Sequence, residues 1–176
     1  MCIRDRAHTD PLTGLLNRRS FLEELARRVE RLDREGSPGT LMFIDLDNFK
    51  LLNDACGHEV GDEALTLAAD LLRSTFRPAD LVARLGGDEF AIWLDGADEL
   101  TAAERAESLR LHAPEYFARE LKAGAPAVSL SIGIACRHAG DTEDLEVLMH
   151  RADSVMYEVK RSGRGRWKVA HESFFP

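Results

Sequence analysis

The chain has 176 residues, of which 44% are hydrophobic and 31% are charged, and its formal net charge is −8 at pH 7. This length suits one domain with a substantial core, and no apolar run approaches the about 20 residues that a membrane-spanning helix needs. The acidic balance argues against binding to long nucleic acids, which requires a basic surface, but it is compatible with a single nucleotide held through a cation. The cysteines form no paired motif and no signal peptide is visible, so we expect a cytoplasmic protein without disulfides or a membrane segment.

The N-terminal part of the chain predicts a loop followed by an amphipathic helix. Residues 1–8 show no periodicity, so we expect a linker remnant or a disordered end there. Pro11 and Gly14 mark a turn, and Asn17 stands where its side chain can cap a helix. Apolar residues then recur at helical spacing between residues 20 and 34, which predicts a helix that packs on a sheet.

A continuous apolar run at residues 41–44 predicts a central strand buried on both faces, and two acids follow it. Asp45 and Asp47 would stand at the carboxyl end of this strand, the edge where open α/β sheets usually bind ligands. The turn after Asp47 should present the backbone amides of residues 48–50 to a phosphate, and Lys50 adds a positive charge. An Asp-x-Asp pair is also common in loops and helix caps, so this segment alone leaves both interpretations open.

The next polar segment contains Gly57 and Gly61, which permit sharp bends, and precedes a helix predicted from the spacing of its leucines. Asp62 stands where that helix is expected to begin, so its structural role would be that of an N-cap. A carboxylate can also accept hydrogen bonds from the N1–H and the amine of guanine, and an amide such as that of Asn53 can pair with the remaining edge. His58 is compatible with a structural or a functional role.

Residues 84–90 read RLGGDEF and lie between two apolar segments, so they predict a β-hairpin whose two glycines supply the positive φ angles of a tight connection. Asp88 and Glu89 would stand at its tip, at the start of a largely apolar strand, where two like charges require a compensating cation. If the strand that ends at Asp45 lies beside this hairpin, Asp45 and Asp88 can converge on one ion. Mg²⁺ suits such a site because it combines one or two carboxylates with water and substrate phosphates.

The rest of the chain predicts a helix over residues 97–119, an alternating strand over residues 128–134, a helix from about residue 144 and an edge strand at residues 167–169. Residues 160–166 are strongly basic, which is typical of a solvated helix end and also of an anion site. The order of elements indicates an α/β fold with a central mixed sheet flanked by helices.

Several of these segments resemble, in the same order, the motifs of the GGDEF family of diguanylate cyclases. Residues 86–90 match the family signature in full, residues 10–18 resemble its Asp-x-Leu-Thr-Gly-Leu-x-Asn-Arg loop, and residues 152–157 resemble its Ala-Asp-x-Ala-Met-Tyr segment. The resemblance covers about residues 9–169. Two departures are Cys56, where the family often has an aromatic residue, and Gly165, where it commonly has Asn; the second predicts a looser basic loop.

The resemblance implies one GGDEF domain over residues 9–170, followed by a tail over residues 171–176. The implied fold is nucleotide-cyclase-like or palm-like, with a mainly antiparallel five-stranded sheet and the GGDEF motif on a hairpin. The implied reaction condenses two GTP into cyclic di-GMP and two pyrophosphates across a homodimer, in which each protomer holds one GTP. An upstream sensor or receiver domain is expected in the native protein, because this chain contains nothing that explains how dimers form.

The resemblance also implies roles for individual residues. Asp45, Asp88 and the carbonyl of Leu46 would hold two Mg²⁺ ions, with Mn²⁺ as a possible substitute, and Asp88 and Glu89 would be catalytic. The implied substrate-binding residues are Phe49, Lys50, Asn53, His58, Asp62, Lys160 and Arg164. Arg77 and Asp80 match the family's Arg-x-x-Asp inhibitory site for the cyclic product, although this spacing also fits a surface ion pair.

Two other functions remain compatible with the sequence. One is a binding module that senses GTP or cyclic di-GMP and turns over weakly or not at all. The other is a truncated domain that folds but stays monomeric and nearly inactive. A rate per protomer that rises with protein concentration would indicate catalysis limited by dimer formation, whereas tight binding without turnover would indicate a sensor.

Overall fold

The computed structural model describes residues 7–171, so most of the predicted N-terminal end and tail lies outside the described residues. Within them, the strands of one sheet are β1 (Gly39–Leu46), β2 (Leu81–Gly86), β3 (Glu89–Asp95), β4 (Leu130–Arg137) and β5 (Trp167–Val169). Their order across the sheet is β2-β3-β1-β4-β5, and β4 and β5 are parallel while the other neighbours are antiparallel. The predicted mixed, mainly antiparallel five-stranded sheet is confirmed.

Helices cover both faces of this sheet. The helices are α1 (Arg18–Glu35), α2 (Phe49–Cys56), α3 (His58–Thr75), α4 (Glu99–Glu120) and α5 (Leu145–Arg161). Helices α1 and α5 enclose a hydrophobic core on one face, and α2, α3 and α4 enclose a second core on the other. Within residues 7–171, no helix combines the length and the apolar character that crossing a membrane requires.

Strand β1 lies at the centre of the sheet because its side chains are buried on both faces. Leu41 and Phe43 belong to the core beneath α1 and α5, whereas Met42 and Ile44 belong to the opposite core. The strand pairs with β3 on one side, where Asp45 lies opposite Glu89, and with β4 on the other. The condition for Asp45 to approach the hairpin is therefore met.

The β2–β3 hairpin differs in detail from the sequence prediction. Its connection consists of Gly87 and Asp88 rather than the two glycines, and the register shifts between Arg84 and Gly86. Gly87 has a φ of 49°, the left-handed region that glycine enters without steric strain. Asp88 therefore lies in the turn itself, and Glu89 is the first residue of β3.

Two helix starts test the capping predictions. The Asn17 side chain accepts a hydrogen bond of 2.9 Å from the Ser20 amide, so its predicted cap is confirmed. The prediction that Asp62 caps a helix is wrong, because α3 already begins at His58. Gly57, with a φ of 88°, turns the chain between α2 and α3 at an earlier position.

Strand β4 begins at Leu130 and is buried along its whole length, where the sequence predicted an alternating strand from residue 128. The reason is that α5 packs on one of its faces and α4 on the other. Gly133 permits this close approach, since a Cβ atom there would lie 2.6 Å from the Met156 amide nitrogen. Strand β4 therefore contributes side chains to both hydrophobic cores.

Candidate active site

A cavity of about 360 Å³ opens where the end of β1, the tip of the hairpin and the start of α2 meet. Its lining consists of Leu46, Asn48, Phe49, Lys50, Leu51, Asp54, Asp88, Lys160 and Arg164. The lining comes from three separate stretches of the chain, residues 46–54, Asp88 and residues 160–164, and it combines acidic with basic groups. The structure therefore brings the predicted residues Leu46, Phe49, Lys50, Asp88, Lys160 and Arg164 together.

Asp45 and Asp88 converge at the base of this cavity. Asp45 is buried, its Oδ2 atom forms an ion pair with Lys160, and its Oδ1 atom has no hydrogen-bond partner among the described residues. Burial raises the pKa of Asp45, and the neighbouring Asp88 side chain raises it further, while Lys160 opposes both effects. The Leu46 amide donates a 3.2 Å hydrogen bond to the Asp88 carbonyl, which fixes the hairpin tip against β1.

These groups fit a hard divalent cation. Two carboxylates lie next to each other, and one buried oxygen of Asp45 has no hydrogen-bond partner within residues 7–171. Among residues 7–171, no three His, Cys, Asp or Glu side chains cluster as a complete set of metal ligands. A site here would therefore rely on Asp45, Asp88, the Leu46 carbonyl and oxygens of substrate or water, which is how Mg²⁺ is usually bound.

Asn48 shapes the phosphate side of the cavity, a role that the sequence analysis did not assign. It adopts a left-handed conformation with a φ of 63° directly before α2, whose first amides have no acceptor within the helix. Its side chain donates to the Ala127 carbonyl and accepts from Arg164, both at 3.0 Å. Asn48 thus connects the predicted phosphate-binding turn to the basic loop after α5.

Asp47 anchors the same basic loop from below. Its buried carboxylate accepts hydrogen bonds of 2.6 Å from Ser129 and 2.6 Å from Ser131, and one of 2.9 Å from the Gly165 amide. The predicted looseness at Gly165 is not what the structure shows, because this amide is tied to the buried acid. Ser129 and Ser131, which alternate with apolar residues in the sequence, were the available sequence signal for this role.

The N-terminal loop reaches the hairpin from the other side. Asp10 accepts hydrogen bonds of 2.8 Å from both the amide and the hydroxyl of Thr13, and its other oxygen lies 3.0 Å from Arg84 of β2. The pair is largely buried, with 15% of each side chain exposed. The loop therefore fixes the start of the domain and also contacts the strand that leads to Asp88.

Comparison with known proteins decides the family. A profile of the family described as "Diguanylate cyclase, GGDEF domain" matches residues 7–166. The chain belongs to this family. Diguanylate cyclase DgcP from Pseudomonas aeruginosa is 37% identical over 95% of the chain, and the response regulator PleD from Caulobacter vibrioides is 39% identical over 90% of it. The chain spans 24% of DgcP and 35% of PleD, so this GGDEF domain corresponds to a part of these relatives.

Solved structures agree with this assignment and with the fold. The GGDEF domain superposes with a TM-score of 0.87 on the coiled coil and GGDEF domain of DgcB from Caulobacter crescentus in complex with c-di-GMP. That match has 33% sequence identity and covers 96% of this chain and 88% of the other. The active GGEEF domain of a diguanylate cyclase from Vibrio cholerae gives a TM-score of 0.82 at 33% identity, over 90% of this chain and 99% of the other.

Five of the residues predicted for the active site of this GGDEF domain lie outside the cavity lining, and one of them is the buried Asp45 described above. Asn53, His58 and Asp62 lie at the corner between α2 and α3, where His58 and Asp62 are exposed and Asn53 is partly buried. Glu89 begins β3 directly opposite Asp45. The corner is adjacent to the cavity because Asp54, the residue after Asn53, contributes to its lining.

Arg77 and Asp80 of this GGDEF domain lie at a second cavity, of about 420 Å³, whose lining also includes Arg28 and Arg73. The Asp80 carboxylate accepts a 2.9 Å hydrogen bond from the Arg77 amide, and the Asp80 amide donates to the Arg77 carbonyl at 3.0 Å. Among the described residues, the Arg77 guanidinium forms no ion pair with Asp80, so the alternative of a surface ion pair is wrong.

Proposed function

We propose that this GGDEF domain condenses two GTP molecules into cyclic di-GMP with release of two pyrophosphates. The observation that carries the proposal is the convergence of Asp45 and Asp88 at a cavity that is also lined by basic side chains. A triphosphate carries several negative charges and binds divalent cations, so it requires both kinds of group at one place. The family assignment supports the same reaction.

The residues of the cavity would bind and orient the triphosphate. Lys50, Lys160 and Arg164 would neutralise its charge, and the amides at the start of α2 would donate to its phosphate oxygens. Asp45, Asp88 and the Leu46 carbonyl would hold Mg²⁺, two ions per site, with Mn²⁺ as a possible substitute. The bound metal would supply charge neutralisation at the phosphate under attack.

The reaction also needs a proton acceptor for the 3′-hydroxyl group that attacks the α-phosphate. Asp88 suits this role because it lies in the turn at the cavity, and Glu89 follows it with its side chain on the sheet face of Asp45. Two protomers must face each other, since each GTP supplies the hydroxyl that attacks the other. Leu51 supports a contact at this face, because it lines the cavity as an apolar side chain that is 54% exposed.

Guanine recognition is assigned to the corner between α2 and α3. The Asp62 carboxylate would accept from the N1–H and amine of guanine, Asn53 would pair with the remaining edge, and His58 would complete the pocket. Adenine has no N1–H, so we expect a preference for GTP over ATP of roughly 10³-fold. A GTP-consuming reaction also implies a cytoplasmic protein.

The second cavity is proposed as a site for the product. The Arg77 guanidinium has no ion-pair partner in the described part of the chain, so it can fork onto a phosphate or stack on guanine, and Asp80 can accept from the base edge. We expect the wild type to slow as cyclic di-GMP accumulates and Arg77→Ala to keep its initial rate. Arg19→Ala, in an exposed ion pair, is the matched control. Equal product sensitivity of the wild type and Arg77→Ala would contradict this assignment.

The decisive experiment is chromatography of the product from purified protein with GTP and Mg²⁺, at low and high protein concentration. We expect cyclic di-GMP from the wild type, a rate per protomer that rises with concentration, and no product with EDTA or from Asp88→Ala. Asp153→Asn, an exposed acid on α5, is the matched control. If folded protein binds GTP but yields no product at any concentration, the domain is a binding module. If the rate per protomer does rise with concentration, we expect an upstream sensor or receiver domain to bring the two protomers together in the native protein, as high concentration does in this assay.

A further inference from the structure

Gly61 occupies a position where glycine is unfavourable for the helix itself. It is the fourth residue of α3, an 18-residue helix, and it is buried. Glycine in a helix interior is about 1 kcal/mol less favourable than alanine. Gly61 is not among the residues with positive φ, so the backbone conformation does not require glycine. The reason must be the space around its Cα atom.

That space is filled by the side chain of Asn53. A Cβ atom at Gly61 would fall deep inside the van der Waals radius of Asn53 Oδ1, 2.9 Å from its Cγ and 3.4 Å from its Nδ2. The Gly57 corner creates this contact by folding α3 back onto α2: the Gly57 amide donates to Asn53 at 2.8 Å, and the Gly61 amide donates to Gly57 at 3.2 Å. The three heavy atoms nearest to the added atom all belong to this one amide, so Asn53 is the group that the methyl group would displace first.

The contact fixes one side chain of the assigned guanine site beside another. The Oδ1 atom of Asn53 is enclosed and has no hydrogen-bond partner among the described residues. Asp62 directly follows Gly61 and is exposed. An amide seated on Gly61 is therefore held one residue from the carboxylate assigned to the same base.

We propose that Gly61 is a specificity-determining positioning residue, because its missing side chain lets the Asn53 amide seat beside Asp62 for recognition of the guanine edge. The proposal rests on the function proposed above. A methyl group at Gly61 would displace the amide by an ångström or more, a scale of misplacement that can lower activity by about 10²-fold. Alanine favours the helix, so the effect should come from the amide rather than from weakening of α3.

The test is a double-mutant cycle with Gly61→Ala, Asn53→Ala and the double variant, measuring kcat and KM for GTP and the ratio of kcat/KM for GTP to that for ATP. We expect Gly61→Ala to raise the KM for GTP at least about 10-fold and to lower the GTP/ATP ratio, with a smaller change in kcat. In the Asn53→Ala background, the added methyl group should change neither the KM for GTP nor the GTP/ATP ratio further. Equilibrium binding of GTP to the same four proteins provides a readout that does not depend on turnover.

The outcomes separate this inference from the assignment on which it rests. If Asn53→Ala lowers the GTP/ATP ratio but Gly61→Ala has no effect, or an equal effect in both backgrounds, the positioning role of Gly61 is wrong. If Asn53→Ala itself leaves GTP binding and the ratio unchanged, the guanine contact of Asn53 is wrong and the inference falls with it. If Gly61→Ala does not fold, the double variant decides. A double variant that folds would support the clash between the added methyl group and the Asn53 amide, whereas a double variant that does not fold would overturn the inference.

Discussion

Arg84 donates two hydrogen bonds, of 2.9 and 2.8 Å, to the carbonyl oxygen of Gly87, which directly precedes Asp88 in the turn of the hairpin. Its remaining nitrogen lies 3.0 Å from Asp10, which the N-terminal loop holds in place. A forked guanidinium thus connects the start of the domain to the proposed proton acceptor. Because two donors of one guanidinium converge on a single oxygen, this arrangement restrains the turn more than a single contact would.

We expect Arg84→Lys to lower kcat by about 10- to 100-fold while the domain remains folded, because lysine cannot donate the paired hydrogen bonds that orient the turn. The KM for GTP should change much less, since Arg84 does not line the cavity. Steady-state kinetics with GTP measures both quantities. Arg19→Lys is the matched control. If Arg84→Lys has the same kcat as the wild type, the paired hydrogen bonds from Arg84 are not needed to orient the turn.

The same ion pair predicts a pH dependence of stability. Burial acts to raise the pKa of Asp10, but hydrogen bonds from Thr13 and the charge of Arg84 outweigh it, so the pKa is lowered from 3.8. The resulting stabilisation is complete above the pKa of the unfolded chain and is lost as the pH falls through the folded-state pKa. Asp10→Asn should therefore lower the free energy of unfolding by a constant amount near neutral pH, and the difference should shrink below about pH 4.

Urea unfolding of the wild type and Asp10→Asn at a series of pH values measures this difference. The comparison should be repeated in an Arg84→Met background, where the pH-dependent part of the difference should be smaller. A difference between wild type and Asp10→Asn that does not vary with pH would show that the charge of Asp10 contributes nothing.

The buried carboxylate of Asp47 predicts a second effect on stability. Ser131→Ala removes one of its three hydrogen bonds and should lower the free energy of unfolding by about 1–2 kcal/mol. Asp47→Ala releases Gly165 as well, so it should be more destabilising and should raise the KM for GTP through displacement of Arg164. Unfolding and kinetic measurements test both, with Ser108→Ala on α4 as control. If Asp47→Ala has the same KM as the wild type, the position of the basic loop that carries Arg164 does not affect the binding of GTP.

Asp45 predicts a conflict between stability and activity. Burial and the adjacent Asp88 raise the pKa of Asp45 in the folded state. Ionised Asp45 therefore destabilises the metal-free domain, and this destabilisation grows as the pH rises from the pKa of the unfolded chain through the pKa of the folded protein. Asp45→Asn should stabilise the metal-free protein by about 1–3 kcal/mol in mildly alkaline buffer and abolish product formation. Thermal unfolding in EDTA measures the first effect. A lower stability of Asp45→Asn than of the wild type would show that the ion pair with Lys160 outweighs the repulsion.

The elements that depend on local sequence were predicted well. Helical spacing located α1 and α5 to within a few residues, and the apolar run of residues 41–44 identified β1, because burial on one or two faces leaves a direct pattern in the sequence. The start of α3 was misplaced because Gly57 ends one helix and begins the next, and glycine has no side chain that could form a cap hydrogen bond. The turn of the hairpin shifted by one residue because the bulge between Arg84 and Gly86 is a property of strand pairing.

The sequence by itself determined the family, the two acidic segments and the basic loop, because these rest on residue types in a fixed order along the chain. Only the tertiary structure showed that Asp45 and Asp88 repel each other beside Lys160, that Asp47 holds Gly165, and that Gly61 makes room for Asn53. Each of these contacts joins segments whose distance depends on how strands pair and helices pack. Side-chain periodicity reports which face of an element is buried, but it carries no information on which atom of a distant segment will meet that face.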